Sequence, residues 1–268
     1  KKIGTAYITA TAKDGSGAFA RCKVRVVRKV TKITLNKYTA KLLVGKTLKL
    51  KAKVHPKKAT IKSVAWSSSD NSIATVDASG RVQGLAAGMV KIRAKAKDGS
   101  GKSAVCLITV SDPIPATGVD VTNNDLIVAK GRQIQSGITI APSNSTDKIK
   151  YYSDNPAVAR INKRGKIYAN RVGQATVYGE TSNGQVGYAD VLVVTLNRRS
   201  LPLRLYDTET LRVNEISTGV TWHSQNPLIA SVDSTGKVVG RRRGVTRIYA
   251  TVRGLKLSCK VTVSDING

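Results

Sequence analysis

Residues of the types that catalyse reactions or bind metals are few and widely spaced in this chain of 268 residues. There are two His, three Cys and 16 Asp plus Glu, against 45 Lys plus Arg. His55 precedes Pro56 and His223 follows Trp222, and neither has a second His or Cys at the spacing of a metal site. No set of His, Ser, Cys and carboxylate residues clusters or recurs. The sequence therefore predicts a non-enzymatic protein without a catalytic, metal or cofactor site.

The three cysteines occupy equivalent positions of a repeat. Cys22, Cys106 and Cys259 each alternate in phase with the apolar residues of a predicted strand. Val191 is expected at that position in a further copy. Bridged cysteines need Cα atoms within about 7 Å, and these sulfurs lie in separate modules. We therefore expect three unpaired thiols buried as small hydrophobic side chains.

Two acidic turns raise the question of calcium binding. Asp77 and Asp233 each begin the pattern Asp-x-Ser/Thr-Gly. Calcium takes about 6–8 oxygen ligands, and no acidic cluster surrounds these turns. A third copy has Asn162 in place of the aspartate, which suits a hairpin turn better than a calcium loop. The pattern therefore favours a hairpin turn over a calcium site.

Two tryptophans are candidates either for a core or for stacking on a carbohydrate. Trp66 and Trp222 stand at the same place in two repeats, and Tyr151 stands there in the third. Equivalent placement favours a core residue.

Charge is the feature that calls for a functional explanation. The net charge of +29 divides into +7 for residues 1–30, +13 for 31–111, +2 for 112–196 and +7 for 197–268. Like charge raises solubility and blunts pairing at strand edges, and attraction to an anionic polymer is the functional alternative. The candidate polyanion-binding residues are Lys49, Lys51, Lys53, Lys91, Arg93, Lys95, Lys97, Arg241, Arg242 and Arg243.

A basic protein can also bind nucleic acid. The pI near 10.3 is the expected electrostatic signature, but no recognition helix, zinc finger or aromatic pair accompanies it. We expect non-specific phosphate binding in vitro and no specific nucleic-acid partner. The longest apolar runs have four or five residues, which predicts no transmembrane segment in this sequence.

A repeat accounts for the organisation of the chain. The segment 66–77 recurs as 222–233 at an offset of 156 residues, and a looser copy lies at an offset of 85. Inside each copy apolar and charged residues alternate with a period of two, the pattern of half-buried strands. The predicted modules are the C-terminal part of a first module (1–29), a second module (30–112), a third module (113–195) and a shortened fourth module (196–268).

The repeat resembles the bacterial Ig-like group 2 (BIG2) domain. The resemblance rests on segments 66–70 (WSSSD), 73–77 (IATVD), 80–82 (GRV) and 84–88 (GLAAG). It implies tandem Ig-like antiparallel β-sandwiches of the kind found on bacterial surface proteins, intimin- and invasin-like adhesins among them, and in some phage structural proteins. It implies no shared catalytic residues. In an Ig-like strand order the lysines of 49–53 and of 91–97 fall on opposite sheets.

The junctions between modules differ. Residues 111–118 contain two prolines and predict a semi-rigid spacer. Residues 191–197 run on without a break, so that the last strand of one module becomes the first of the next. We expect an elongated rod of roughly 120–150 Å, which small-angle scattering would test. Residues 1–29 supply at most three strands, so they belong to a module cut short or are completed by another chain.

The sequence predicts an all-β, non-enzymatic stalk or adhesin repeat of an exported bacterial surface protein. Its expected location is extracellular, at the cell surface or wall, where anionic polysaccharide would bind its Lys- and Arg-rich strands. A structural subunit of a filament or phage particle, assembled from neighbouring copies, is the alternative. A carbohydrate-binding module is the third possibility.

Overall fold

The computed structural model describes residues 3–265, which form strands, turns and loops without a helix. This confirms the all-β prediction. In the described part of the chain there is accordingly no helix long and apolar enough to cross a membrane. The chain divides into two compact units, one up to Pro113 and one from Ile114.

Each unit consists of short strands. Those of the first unit are β1 (Gly4–Thr11), β2 (Phe19–Val26), β3 (Lys32–Leu35), β4 (Thr39–Leu43), β5 (Thr47–Lys49), β6 (Ala52–His55), β7 (Val64–Ser68), β8 (Ala74–Val76), β9 (Arg81–Gly84), β10 (Gly88–Ala96) and β11 (Ser103–Ser111). Those of the second unit are β12 (Gly118–Val121), β13 (Asp125–Ala129), β14 (Gln133–Gln135), β15 (Ile138–Ala141), β16 (Ile149–Ser153), β17 (Ala159–Ile161), β18 (Lys166–Ala169), β19 (Gly173–Thr181), β20 (Val186–Val194), β21 (Ser200–Arg204), β22 (Thr208–Thr210), β23 (Thr221–Ser224), β24 (Ala230–Val232), β25 (Lys237–Gly240), β26 (Gly244–Val252) and β27 (Leu255–Ser264).

The first unit begins with a hairpin of β1 and β2. One face of the hairpin is apolar, with Ile8 opposite Cys22. Within residues 3–265 no second sheet covers this face, and every residue of β1 is exposed. Cys22 is therefore exposed. The prediction that Cys22 lies in a core is wrong for the part of the chain that the structure describes, because there β1 and β2 form a two-stranded sheet that no second layer covers.

The rest of the first unit, the second module, is a β-sandwich. One layer is the sheet β4-β11-β10-β7, and the other consists of β3-β6 and β5-β9-β8. The predicted alternation holds along β10, where Ile92 and Ala94 are buried and Lys91 and Arg93 are exposed. The pairing is antiparallel except between β4 and β11, which are parallel. This exception arises because the chain changes layers between β3, which pairs with β6, and β4.

The second unit contains two sandwiches of the same design, the third and fourth modules. Their larger sheets are β13-β20-β19-β16 and β21-β27-β26-β23, each with one parallel pair. The opposite layers contain β12-β15 with β14-β18-β17, and β22-β25-β24. Each of the three sandwiches has its own hydrophobic core.

Strand β20 joins the third and fourth modules directly. Val191 and Val193 belong to the core of the third module, whereas Leu192 and Val194 belong to that of the fourth. Leu196 then pairs with a strand segment of the fourth module. The continuous junction expected from residues 191–197 is thereby confirmed.

The strand register corrects one equivalence of the repeat. Ile92 pairs with Cys106, and its counterpart Val177 pairs with Ala189. Ala189, and not Val191, therefore occupies the cysteine position in the third module. The fixed offset of 85 fails here because the connection from β19 to β20 is two residues shorter than that from β10 to β11.

Candidate polyanion-binding surfaces

The ten candidate cations are all exposed, but the fold distributes them over several places. They lie on or beside β5 and β6 (Lys49, Lys51, Lys53), along β10 and just after it (Lys91, Arg93, Lys95, Lys97), and between β25 and β26 (Arg241, Arg242, Arg243). The strands β5 and β6 belong to the layer opposite β10. The expectation that the lysines of 49–53 and of 91–97 fall on opposite sheets is therefore confirmed.

One groove brings two of these lysines together. Lys49 and Lys51 line it with Lys62, Trp66 and Ser79. The Lys49 ammonium donates to the Ser79 hydroxyl over 2.7 Å, which positions this cation at the rim. In a groove lined by an indole ring and three lysines, the ring can contact a sugar while an ammonium group pairs with its carboxylate or phosphate. Sequence reasoning missed Lys62, because it lies in a loop before β7 where no alternation marks it.

An equivalent groove lies beside Trp222 in the fourth module, where Arg212 is the lining cation. In the third module the groove beside Tyr151 has a different wall, formed by the end of β19, and its charged lining residues are Lys148, Lys150, Lys163 and Glu180. The charge beside the aromatic residue therefore varies from module to module.

A glycine positions the aromatic ring in these grooves. A Cβ added to Gly80 would lie 2.8 Å from the Trp66 ring and 2.7 Å from the carbonyl oxygen of Leu50. Gly236 stands in the same relation to Trp222. Both tryptophans pack against the buried cores, which confirms their predicted core role, while one part of each ring borders the groove.

The carboxylates of the acidic turns accept hydrogen bonds from residues of the same turn. Asp77 Oδ1 accepts from the Ser79 amide and hydroxyl and from the Arg81 amide, at 2.8, 2.6 and 2.9 Å. These bonds, the hydroxyl bond foremost, lower the pKa of Asp77. Asp233 makes the same set of bonds, and Asn162 accepts two equivalent amide bonds. In residues 3–265 no three His, Cys, Asp or Glu side chains gather where they could hold a metal.

The arginines adjacent in sequence are partly engaged by local partners. Arg241 Nε donates to Ser231 Oγ at 3.0 Å. Arg243 Nη1 lies 3.5 Å from Asp265 Oδ2 in an exposed ion pair. Two of the three adjacent arginines are therefore held by different partners.

A second basic cleft lies where the third and fourth modules share β20. Five cations line it, namely Lys130, Arg132, Arg199, Arg247 and Lys256, and none of its lining residues is acidic. They come from the turn after β13, the loop before β21, and from β26 and β27. Sequence reasoning missed this cleft because no linear pattern links positions so far apart in the chain.

Repeated β-sandwiches, each with one parallel strand pair and a core aromatic at a fixed place, define an Ig-like repeat protein. The chain belongs to the bacterial Ig-like domain (group 2) family, whose profile matches residues 29–106 and 115–189. This confirms the resemblance found in the sequence.

Relatives of known origin are bacterial and viral. An uncharacterized protein of Clostridium acetobutylicum is 32% identical over 154 residues, which are 58% of this chain and 15% of that protein. An Ig-like virion protein of Serratia phage KSP90 is 30% identical over 171 residues, 63% of this chain and 66% of that protein. The chain thus spans less than two thirds of both relatives. The solved structure of invasin, a bacterial integrin-binding protein, is 12% identical with a TM-score of 0.36, covering 98% of this chain and 65% of that one.

Proposed function

We propose that the chain is a non-enzymatic repeat segment of an exported bacterial surface protein, a stalk or adhesin region that associates with anionic wall or matrix polysaccharide. Membership of the bacterial Ig-like family supports the display role. The observation that supports the polymer association is the groove lined by Lys49, Lys51, Lys62 and Trp66. The basic cleft beside β20 supplies a further contact on the same polymer.

Affinity for a polymer would come from many weak contacts. A single exposed ion pair contributes about 0–1 kcal/mol, but a polyanion engages several cationic sites on one chain and releases its counterions. Binding should therefore be strong at low salt and fall steeply as salt rises.

Cosedimentation with Gram-positive wall sacculi, with and without teichoic acid, tests this proposal over a salt series. We expect binding that requires teichoic acid and weakens with salt. The triple variant Lys49→Glu, Lys51→Glu, Lys62→Glu should lose more binding than a variant with Lys91, Lys95 and Lys97 changed to Glu, which alters the charge equally. Equal losses would show diffuse attraction without a groove site. No binding at about 0.15 M salt, where the Debye length is about 8 Å, would refute the proposal.

A structural subunit of a phage particle or filament is the second candidate. It is favoured by the similarity to a phage virion protein and by the uncovered apolar face of the β1–β2 hairpin, where Ile8 is 62% exposed. Negative-stain microscopy over a concentration series tests it. Filaments that Ile8→Lys prevents and Thr9→Lys, on the opposite face, leaves intact would support it.

A further inference from the structure

A row of tyrosines crosses the exposed face of the larger sheet of the third module. Tyr152 on β16 pairs with Tyr178 on β19, and Tyr178 pairs with Tyr188 on β20. The first two rings stack with centroids 5.0 Å apart and planes at 12°, and the second pair lies at 6.2 Å and 43°. Tyr152 and Tyr188 remain 38% and 54% exposed. The row therefore presents a continuous aromatic surface to solvent.

The fold does not require aromatic residues at these positions. The corresponding rows in the other modules are Ser67, Arg93 and Val105, and His223, Tyr249 and Ser258. Those sheets have the same strand order without three aromatics. Three of the nine tyrosines of the chain thus meet at one exposed place, and contiguous exposed apolar surface is typical of a binding site.

Polar side chains held by hydrogen bonds lie beside the tyrosines, two positions further along the same strands. Thr176 Oγ1 donates to Asp190 Oδ1 at 2.8 Å, and the Thr176 amide donates to Asp154 Oδ1 at 2.8 Å. These residues line a depression together with Gln174 and with Asp125, which forms an ion pair with Arg253. Each carboxylate has acceptor sites beyond the one bond it makes to Thr176. A ligand on the aromatic row would therefore meet positioned acceptors at its edge.

We propose that this tyrosine platform, formed by Tyr152, Tyr178 and Tyr188, binds a neutral polysaccharide. The C–H groups of a pyranose ring carry partial positive charge and stack on the negative face of an aromatic ring. Asp154 and Asp190 would accept hydrogen bonds from the sugar hydroxyls. The three strands cover roughly 10 Å, enough for two linked sugar rings.

The local charge around the platform differs from that of the cationic grooves. Asp154 and Asp190 stand on one side of the platform, where Arg253 also pairs with Asp125. Lys150 lies opposite Glu180 on the other side, and the stretch 112–196 has a balance of only +2. Opposite charges therefore nearly balance around the platform, which leaves little net attraction for a polyanion and does not oppose an uncharged chain. Binding at the platform should therefore be insensitive to salt, in contrast to the proposed wall association.

Depletion binding to insoluble cellulose, chitin and mannan, at about 0.15 M and 1 M NaCl, tests the proposal with the full chain. We expect saturable binding to at least one polymer at both salt concentrations. Tyr152→Ala and Tyr188→Ala should each weaken it about tenfold, whereas Tyr188→Phe keeps the ring and the binding. Tyr206→Ala is the matched control, since Tyr206 is 71% exposed in the fourth module.

Several outcomes would overturn the proposal. These are no binding to any of the three polymers, binding that salt abolishes, and binding that the two alanine variants leave unchanged while thermal unfolding shows them folded. If these variants alter only self-association in sedimentation velocity, the row is a protein contact and the proposal is wrong. Failure of wall cosedimentation would not affect the result, because that assay depends on the cationic grooves.

Discussion

Single residues at equivalent places in the modules have the same structural role with different chemistry. Asp77 and Asn162 both accept the amide bonds that close a turn. Tyr151 replaces tryptophan and satisfies its hydroxyl by donating to the Ile138 carbonyl at 3.0 Å, while burial raises the pKa of the phenol. Gly80, in contrast, has no room for any side chain.

Gly80→Ala should destabilise the second module by about 2–4 kcal/mol, because a methyl group would combine positive-φ strain with overlap on Trp66 and on a backbone oxygen. Gly99→Ala is the matched control, since Gly99 has a φ of +74° and nothing lies within 4 Å of the added methyl. It should cost about 1 kcal/mol. Urea unfolding measures both, and equal losses would contradict the role assigned to the ring contact.

Cys22 should be the thiol that reacts in the folded protein. It is exposed, whereas Cys106 and Cys259 are buried. Burial raises the pKa of Cys106 and raises the pKa of Cys259 to about 11, so both hold little of the reactive thiolate near pH 8. Mass spectrometry after iodoacetamide treatment should find one adduct in buffer and three in urea. Cys22→Ser should show none in buffer, and rapid native modification of Cys259 would contradict the burial argument.

At the scale of elements, the chain leads into the modules in two different ways. In the second module Arg28 and Thr60 exchange hydrogen bonds that fasten the entering chain, and Ile114 and Thr146 exchange the same bonds in the third. The fourth module is entered through β20, whose side chains alternate between two cores. The third and fourth modules should therefore unfold together.

Val193→Ala tests this coupling. The change removes buried methyl groups from the core of the third module and should cost about 2 kcal/mol. In a Trp66→Tyr background Trp222 is the remaining tryptophan and reports on the fourth module. Its fluorescence transition in urea should move to lower concentration. Val82→Ala, in the other compact unit, should leave that transition unchanged, and an unshifted transition for Val193→Ala would show that the shared strand does not couple the modules.

At the scale of the whole molecule, charge is distributed unevenly among similar sandwiches. The stretch 31–111 has a balance of +13 and contains the lysine groove, whereas 112–196 has +2 and contains the tyrosine platform. Under the two proposals one fold would bind an anionic polymer in one module and an uncharged polymer in another.

The net charge of +29 should produce nucleic-acid binding without specificity. Two DNA duplexes of equal length and unrelated sequence should bind equally, and log affinity should fall linearly with log salt as phosphate counterions are released. Fluorescence anisotropy measures both. A preference for one duplex, or binding insensitive to salt, would contradict the prediction.

Much of the fold followed from the sequence by itself. The alternation with period two identified the buried face of strands such as β10, because successive side chains of a strand point to opposite faces. Repeated turn residues and a fixed aromatic position predicted the modules, and segments such as 66–70 and 73–77 showed the resemblance to the family. The continuous run 191–197 predicted the shared strand. These features are local or repeated, and local patterns are readable without neighbours.

Only the tertiary structure decided which residues meet. Alternation indicates the face on which Tyr178 lies but not that Tyr152 and Tyr188 stand beside it, since that depends on the register of three strands. Lys62 joins Lys49 for the same reason, because they lie on segments that only the sandwich brings together. Cys22 follows the alternation of a buried residue but is exposed. Burial requires a second sheet packed on that face, and the pattern within one strand does not show whether such a sheet is there.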